Sequence, residues 1–137
     1  MHTVGHLRPE TQATANEAYE SAGPTAQLVV KEVAKSMGFD REEYRGRVDA
    51  DVVETARDVL FAAKLAVDVG TREEYDEWRA GFDGDVYETG SENVDNVVWH
   101  EAPFAGEAVA ATFQNEEDAA VGTLRRQAFG RIYREHL

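Results

Sequence analysis

Residues 97–113, VVWHEAPFAGEAVAATF, decide the fold, because the spacing of apolar side chains changes here from a helical period to a period of two. The alternation runs from Val97 to His100 and again over residues 108–113, with a loop between them that contains proline and glycine. This pattern predicts two antiparallel strands joined as a hairpin. A short strand over residues 86–88 is expected beside them.

Around this stretch the apolar residues recur at the three-to-four spacing that is typical of amphipathic helices. Gly23 and Pro24 are expected to separate the first helix from the second. The predicted helices span Pro9–Ala22, Thr25–Met37, residues 51–67, 71–79 and 116–135, with a short turn of helix after Asp40. Strands that cluster after helices favour the α+β class. We therefore expect N-terminal helices packed with a small antiparallel sheet of two to three strands and a long C-terminal helix.

The chain of 137 residues has the usual size of one domain, and residues 1–137 are expected to form a single α+β domain with residues 1–8 disordered. No apolar run is long enough for a membrane helix, so no membrane association is expected. The N-terminus lacks an export signal pattern, which favours the cytoplasm. Cysteine is absent, which excludes disulfides and thiolate chemistry. We predict no cofactor.

The charge balance is strongly acidic, with 27 Asp and Glu against 14 Lys and Arg and a net charge of −13. Residues 49–96 carry 14 of the acids and 4 bases, whereas the two ends are nearly balanced. Only three of the bases are lysines. Such a surface suits a salt-rich cytoplasm, where charges are screened within a few ångströms. An ordinary acidic protein and a nucleic-acid mimic are the alternatives.

The motifs that begin like known metal sites fail on their spacing. His100 and Glu101 start like a zinc-peptidase helix, but Phe104 stands where the second histidine would be needed. The acids after Phe82 resemble a calcium loop, but Glu88 replaces its central glycine. We therefore predict no metal site and no catalytic constellation.

The segment Trp99-His100-Glu101 supplies the candidates for chemistry. His100 titrates near neutral pH and Glu101 is an adjacent carboxylate, so these two are the catalytic candidates of a small hydrolase or isomerase. Alternation along a strand places Trp99 and His100 on opposite faces. The alternative for His100 is a hydrogen-bonded structural histidine, and for Trp99 a core residue instead of a contact residue.

The predicted C-terminal helix holds the four arginines of the last third of the chain, Arg125, Arg126, Arg131 and Arg134. Arg125 projects into the apolar face and needs a partner there. It either pairs with a carboxylate from another helix or, with Arg126, contacts an anion or a partner protein. Arg125, Arg126, Arg131 and Trp99 are the candidate binding residues.

Several segments resemble a family of small uncharacterised haloarchaeal proteins that carry a domain of unknown function. The segments are VVWHEAPF at 97–104, VAATFQ at 109–114, TLRRQAFGRIYR at 123–134, DVVETARDVLFA at 51–62 and FDREEY at 39–44. The resemblance covers nearly the whole chain. It implies a halophilic archaeal cytoplasm and transfers no catalytic residue.

Three functions follow from these observations. The favoured one is a non-enzymatic interaction or assembly protein, with a protein partner or a homo-oligomer. The second is a nucleic-acid or ribonucleoprotein accessory that uses the arginines of the C-terminal helix, which the net charge of −13 opposes. The third is a small hydrolase or isomerase that uses His100.

Overall fold

A computed structural model describes all residues, 1–137, and places five strands in one mixed sheet. In chain order the elements are β1 His2–Val4, α1 Gln12–Ser36, α2 Arg41–Arg47, α3 Ala50–Ala62, β2 Val67–Thr71, α4 Arg72–Gly81, β3 Asp85–Thr89, β4 Asn96–Ala102, β5 Glu107–Phe113 and α5 Glu117–Arg131. Short 3₁₀ turns follow β4, at Pro103–Ala105, and α5, at Tyr133–Glu135. None of the helices is long and apolar enough to cross a membrane.

The sheet has the order β1-β2-β4-β5-β3, and it corrects the expected sheet of two to three antiparallel strands. The predicted β4–β5 hairpin is present, with Trp99 opposite Ala110. Strand β3 pairs with β5 in parallel, although β4 lies between them in the chain. Helix α3 ends at Ala62, before the predicted end at residue 67, and strand β2 begins at Val67. Short strands of this kind take their pairing from partners that are distant in sequence, and local periodicity does not show those partners.

The N-terminal segment, which was expected to be disordered, contains β1. This strand pairs antiparallel with β2, with Thr3 opposite Asp68. Thr3 Oγ1 donates a hydrogen bond of 2.7 Å to Asp68 Oδ1, and Arg8 lies 3.0 Å from the other carboxylate oxygen. Backbone pairing with β2 and contacts to one buried carboxylate therefore hold this segment on the sheet edge.

Helix α1 runs through Pro24 without interruption, so the prediction of two separate helices was wrong. Proline inside a helix costs about 3 kcal/mol because it removes a hydrogen bond and crowds the preceding turn. Ala22 and Ala26 on either side of it are fully buried. Arg57 of α3 donates a 2.8 Å hydrogen bond to the carbonyl oxygen of Tyr19. Packing of α1 against α3 accordingly outweighs the local cost of the proline.

Both faces of the sheet are covered. Helix α5 packs on one face, where Phe61 of α3, Leu124 and Phe129 of α5 and Tyr133 join the main core. Helix α4 covers the other face, where Tyr75 and Trp99 join a smaller cluster. Side-chain caps are present at Asp40 before α2 and at Thr71 before α4, and the latter forms the full capping box with Glu74.

Candidate functional site

His100 lies in the middle of β4 and is fully buried on the face that α5 covers. Its Nδ1–H donates a 2.6 Å hydrogen bond to the carbonyl oxygen of Ala66. The lone pair of Nε2 therefore accepts the 2.7 Å hydrogen bond from the hydroxyl of Tyr133. Burial lowers the pKa of His100 to about 4, since desolvation disfavours the imidazolium.

A neutral imidazole with both nitrogens bonded and no exposed surface has no site for substrate and no free lone pair for a proton. Glu101 does not assist His100, because it lies on the opposite face of β4. There its Oε1 accepts a 3.3 Å hydrogen bond from Trp78 Nε1. The two catalytic candidates are therefore not brought together, and the geometry matches the structural alternative for His100.

Trp99 is fully buried against α4, so it offers no surface to a partner. Its ring centroid lies 5.3 Å from that of Tyr75 and 5.8 Å from that of Trp78. Its indole Nε1 has no hydrogen-bond partner. Gly70 lies opposite the ring, and a Cβ atom there would lie 3.1 Å from the indole. Trp99 is therefore a residue of the smaller core, which was the alternative to a contact residue.

Arg125 is held by backbone carbonyls and not by a carboxylate. Its Nε donates to the oxygen of Leu65 at 3.0 Å, and its NH2 group donates to the oxygen of Val4 at 3.3 Å. Gly5 passes so close that a Cβ atom there would lie 2.6 Å from the guanidinium, and its φ of +88° also favours glycine. Arg125 thus connects α5 to β1 and to the chain before β2.

The other arginines of α5 and the following turn are exposed and point to separate surroundings. Arg126 donates a 3.2 Å hydrogen bond to Thr123 Oγ1 on its own helix. Arg131 lies over the ring of Tyr87 on β3, 5.2 Å from its centroid. Arg134 lies 5.6 Å from the centroid of Phe129. These three side chains do not form one basic stripe.

The carboxylate of Asp68 was not singled out from the sequence, although only 8% of its side chain is exposed. Its ion pair with Arg8 and its bond from Thr3 compensate the buried charge. The sequence pattern that indicates a buried acid here is a single Asp between Val67 and Val69 in an otherwise apolar run. A cavity of about 570 Å³ beside it is lined by eight residues, of which four are acids and two are Arg8 and Trp78. No group of three or more His, Cys, Asp or Glu side chains is placed to hold a metal ion.

A second polar cavity, of about 310 Å³, separates the start of α4 from the end of β3. Arg72 reaches across it and donates hydrogen bonds to the carbonyl oxygens of Ser91 and Val94. Tyr75 donates to the carboxylate of Glu88, and burial together with that carboxylate raises the pKa of the phenol. The hydrogen bonds of Arg72 fasten the loop before β4 to α4, while its Nε is buried without a hydrogen-bond partner.

The exposed apolar side chains of α1 form a surface feature that the sequence did not reveal. Val29, Val33 and Met37 recur at the spacing of one helix face, and they are 41%, 54% and 63% exposed. Leu28 beside them is 58% exposed. The buried positions of α1 are alanines only: Ala15, Ala22, Ala26 and Ala34. Such a row of small residues is typical of a close contact between helices. It was the sequence pattern from which the buried face of α1 could be predicted.

The fold and these surfaces define an α+β protein with a closed histidine site and an exposed apolar helix face. Over residues 6–134 the chain matches a family described as a family of unknown function, DUF5809, and it belongs to that family. No curated protein and no solved structure matches it.

Proposed function

We propose that this protein is a non-enzymatic interaction protein that self-associates through the second half of α1. The observation that carries the proposal is the row Leu28, Val29, Val33 and Met37, called here the α1 surface. Val29, Val33 and Met37 follow one another at intervals of four positions and therefore lie on one side of the helix, over about 12 Å along its axis. Contiguous exposed apolar side chains are typical of protein contact sites.

Charge favours a second copy of this chain as the partner. Residues 25–47, which include the α1 surface and α2, hold five bases and four acids, whereas the rest of the chain holds nine bases and 23 acids. Lys31 and Lys35, two of the three lysines, lie within this segment. Two copies that meet through residues 49–96 bring acidic surfaces together, and contact through the α1 surface avoids that repulsion.

Light scattering coupled to size-exclusion chromatography in about 2 M KCl tests self-association. We expect a dimer or larger assembly for the wild type and a monomer for Val33→Glu, because a charge in an apolar contact is desolvated without a partner. The matched control is Val52→Glu on α3, which makes the same change at a valine that is 40% exposed. A monomeric wild type contradicts the proposal, and so does a Val52→Glu variant that dissociates equally.

We propose further that the protein works in the salt-rich cytoplasm that the resemblance to haloarchaeal proteins implies. The net charge of −13, the excess of arginine over lysine and the absence of cysteine support this setting. At about 1 M salt the Debye length falls to about 3 Å, so repulsion among the acids of residues 49–96 is largely screened.

Thermal unfolding at increasing KCl tests the salt requirement. We expect the midpoint to rise between about 0.1 M and 2 M KCl, by about 3–6 °C for each kcal/mol of repulsion removed. The rise is expected to be much smaller near the isoelectric point, at about pH 4.6, where little net charge remains to be screened. A midpoint that is unchanged or falls with KCl at pH 7 contradicts the proposal.

A further inference from the structure

A groove between α3 and α5 combines an apolar floor with two open arginines. It is lined by Thr55, Asp58, Val59, Ala62, Arg126, Phe129 and Arg134, and is called here the α3–α5 groove. Ala62 and Phe129 are each 6% exposed and form its base, while Val59 on its side is 63% exposed. The volume of about 270 Å³ is below that of pockets for drug-sized ligands and suits one or two side chains.

The arginines of this groove have no carboxylate within 4 Å, although the chain contains 27 acids. Arg126 bonds only to the hydroxyl of Thr123. Arg134 contacts the face of Phe129 and makes no hydrogen bond through its guanidinium. The carboxylate of Asp58, which also lines the groove, accepts a 2.6 Å hydrogen bond from Tyr19 of α1. Positive charge is therefore available on a molecule that is otherwise strongly negative.

We propose that the α3–α5 groove binds an acidic amphipathic segment of a partner protein. One aliphatic or aromatic side chain of that segment packs on Val59, Ala62 and Phe129, and neighbouring carboxylates pair with Arg126 and Arg134. Guanidinium groups form paired hydrogen bonds with carboxylates. Arginine beside an apolar anchor is also the composition that concentrates binding energy at protein interfaces.

The geometry favours a protein segment over a nucleic acid. Phosphate backbones are bound by many bases along one track, and affinity falls steeply with salt. The groove offers two arginines, and the guanidinium of Arg134 lies over its only aromatic ring, Phe129, which prevents a base from stacking there. An amphipathic peptide uses both the apolar floor and the charges, and the apolar contact is retained at high salt.

This site differs from the α1 surface, so the two proposals are separable. Selection of a random peptide display library on the purified protein in molar KCl identifies what the groove binds. We expect wild type to enrich peptides in which Asp or Glu flank one large apolar residue. No enrichment of such peptides overturns the proposal.

The affinity of an enriched peptide, measured by fluorescence anisotropy, locates the site. We expect Arg126→Gln with Arg134→Gln to weaken binding by about tenfold to a hundredfold, and Val59→Glu to weaken it similarly. Arg131→Gln is the charge-matched control for each of Arg126→Gln and Arg134→Gln made singly, because Arg131 lies against Tyr87 away from the groove. An equal loss in Arg131→Gln shows nonspecific charge attraction and overturns the proposal.

Two further arms separate the alternatives. Displacement of the bound peptide by a single-stranded oligonucleotide at the same salt assigns the groove to nucleic acid and overturns the proposal. The Val33→Glu variant is expected to bind the peptide like wild type. Loss of binding in this variant would place the peptide on the α1 surface instead, and circular dichroism of each variant confirms that it is folded.

Discussion

Lowering the pH from 7 to 4 is expected to reduce the free energy of unfolding by about 3 kcal/mol through His100 alone. In the folded protein burial lowers the pKa of this imidazole to about 4, against 6.5 for the unperturbed group. The positive charges of Arg8 and Arg125 lower it further, whereas Asp68 and the bond to Ala66 act in the opposite direction. The neutral imidazole is thus the form that the fold stabilises.

The direction of the effect follows from which state binds the proton. Between pH 6.5 and about 4 the unfolded chain carries a proton on His100 and the folded chain does not, so acid stabilises the unfolded state. The contribution of His100 is complete above pH 6.5 and is lost as the pH falls towards 4. Urea unfolding at a series of pH values in molar KCl measures it.

The variant His100→Gln is the control for this titration. A glutamine amide is able to donate to the oxygen of Ala66 and accept from Tyr133, but it does not titrate. Acid also reduces the repulsion among carboxylates, which raises the free energy of unfolding. This effect is common to wild type and His100→Gln and cancels in their difference. We therefore expect the difference between wild type and variant to change by about 3 kcal/mol between pH 7 and 4. A difference that does not vary with pH contradicts the assignment of a buried neutral His100.

Replacing Phe61 with alanine is expected to lower the free energy of unfolding by about 3–5 kcal/mol. Its ring is fully buried and makes edge contacts with Tyr19, Phe129 and Tyr133, at centroid distances of 5.8, 5.9 and 5.1 Å. It therefore joins α1, α3, α5 and the C-terminal turn. A cavity at this position removes contacts from all four elements, since the surrounding core does not fully collapse.

Chemical denaturation of matched variants measures this effect. Val59→Ala removes an exposed side chain two positions away on the same helix and is expected to change stability by about 0.5 kcal/mol at most. Phe61→Leu keeps much of the apolar volume and replaces the alanine variant in the measurement if that variant does not fold. Its expected loss of stability lies between those of Val59→Ala and Phe61→Ala. A loss below about 1 kcal/mol for Phe61→Ala would show that α1 and α5 do not pack through this ring.

The helix caps and the hairpin were predictable because their causes are local. Thr71 and Glu74 bond to each other's backbone within one turn, and this capping box needs no other part of the chain. The hairpin from β4 to β5 spans consecutive residues, so its alternation was readable. Helix α1 was predicted as two helices because the local cost of Pro24 was visible and its packing on α3 was not.

The candidate site residues also had some features that local sequence predicts and others that only tertiary packing decides. Alternation along β4 correctly placed Trp99 and His100 on opposite faces. It did not show that both faces are covered, because α4 and α5 are brought to the sheet by long-range packing. The aliphatic row of α1 was readable as a stripe, but α3 has 13 residues against 25 in α1. Which part of the stripe is covered depends on that tertiary arrangement.

The sequence by itself determined the α+β class, the hairpin at residues 97–113, the capped helices and the acidic charge, since each depends on neighbouring residues or on composition. The tertiary structure decided the five-stranded order, the closed environment of His100, the carbonyl partners of Arg125 and the exposure of the α1 surface. These features join residues that are far apart in the chain, and the free energy that selects them comes from burial and pairing in the folded protein.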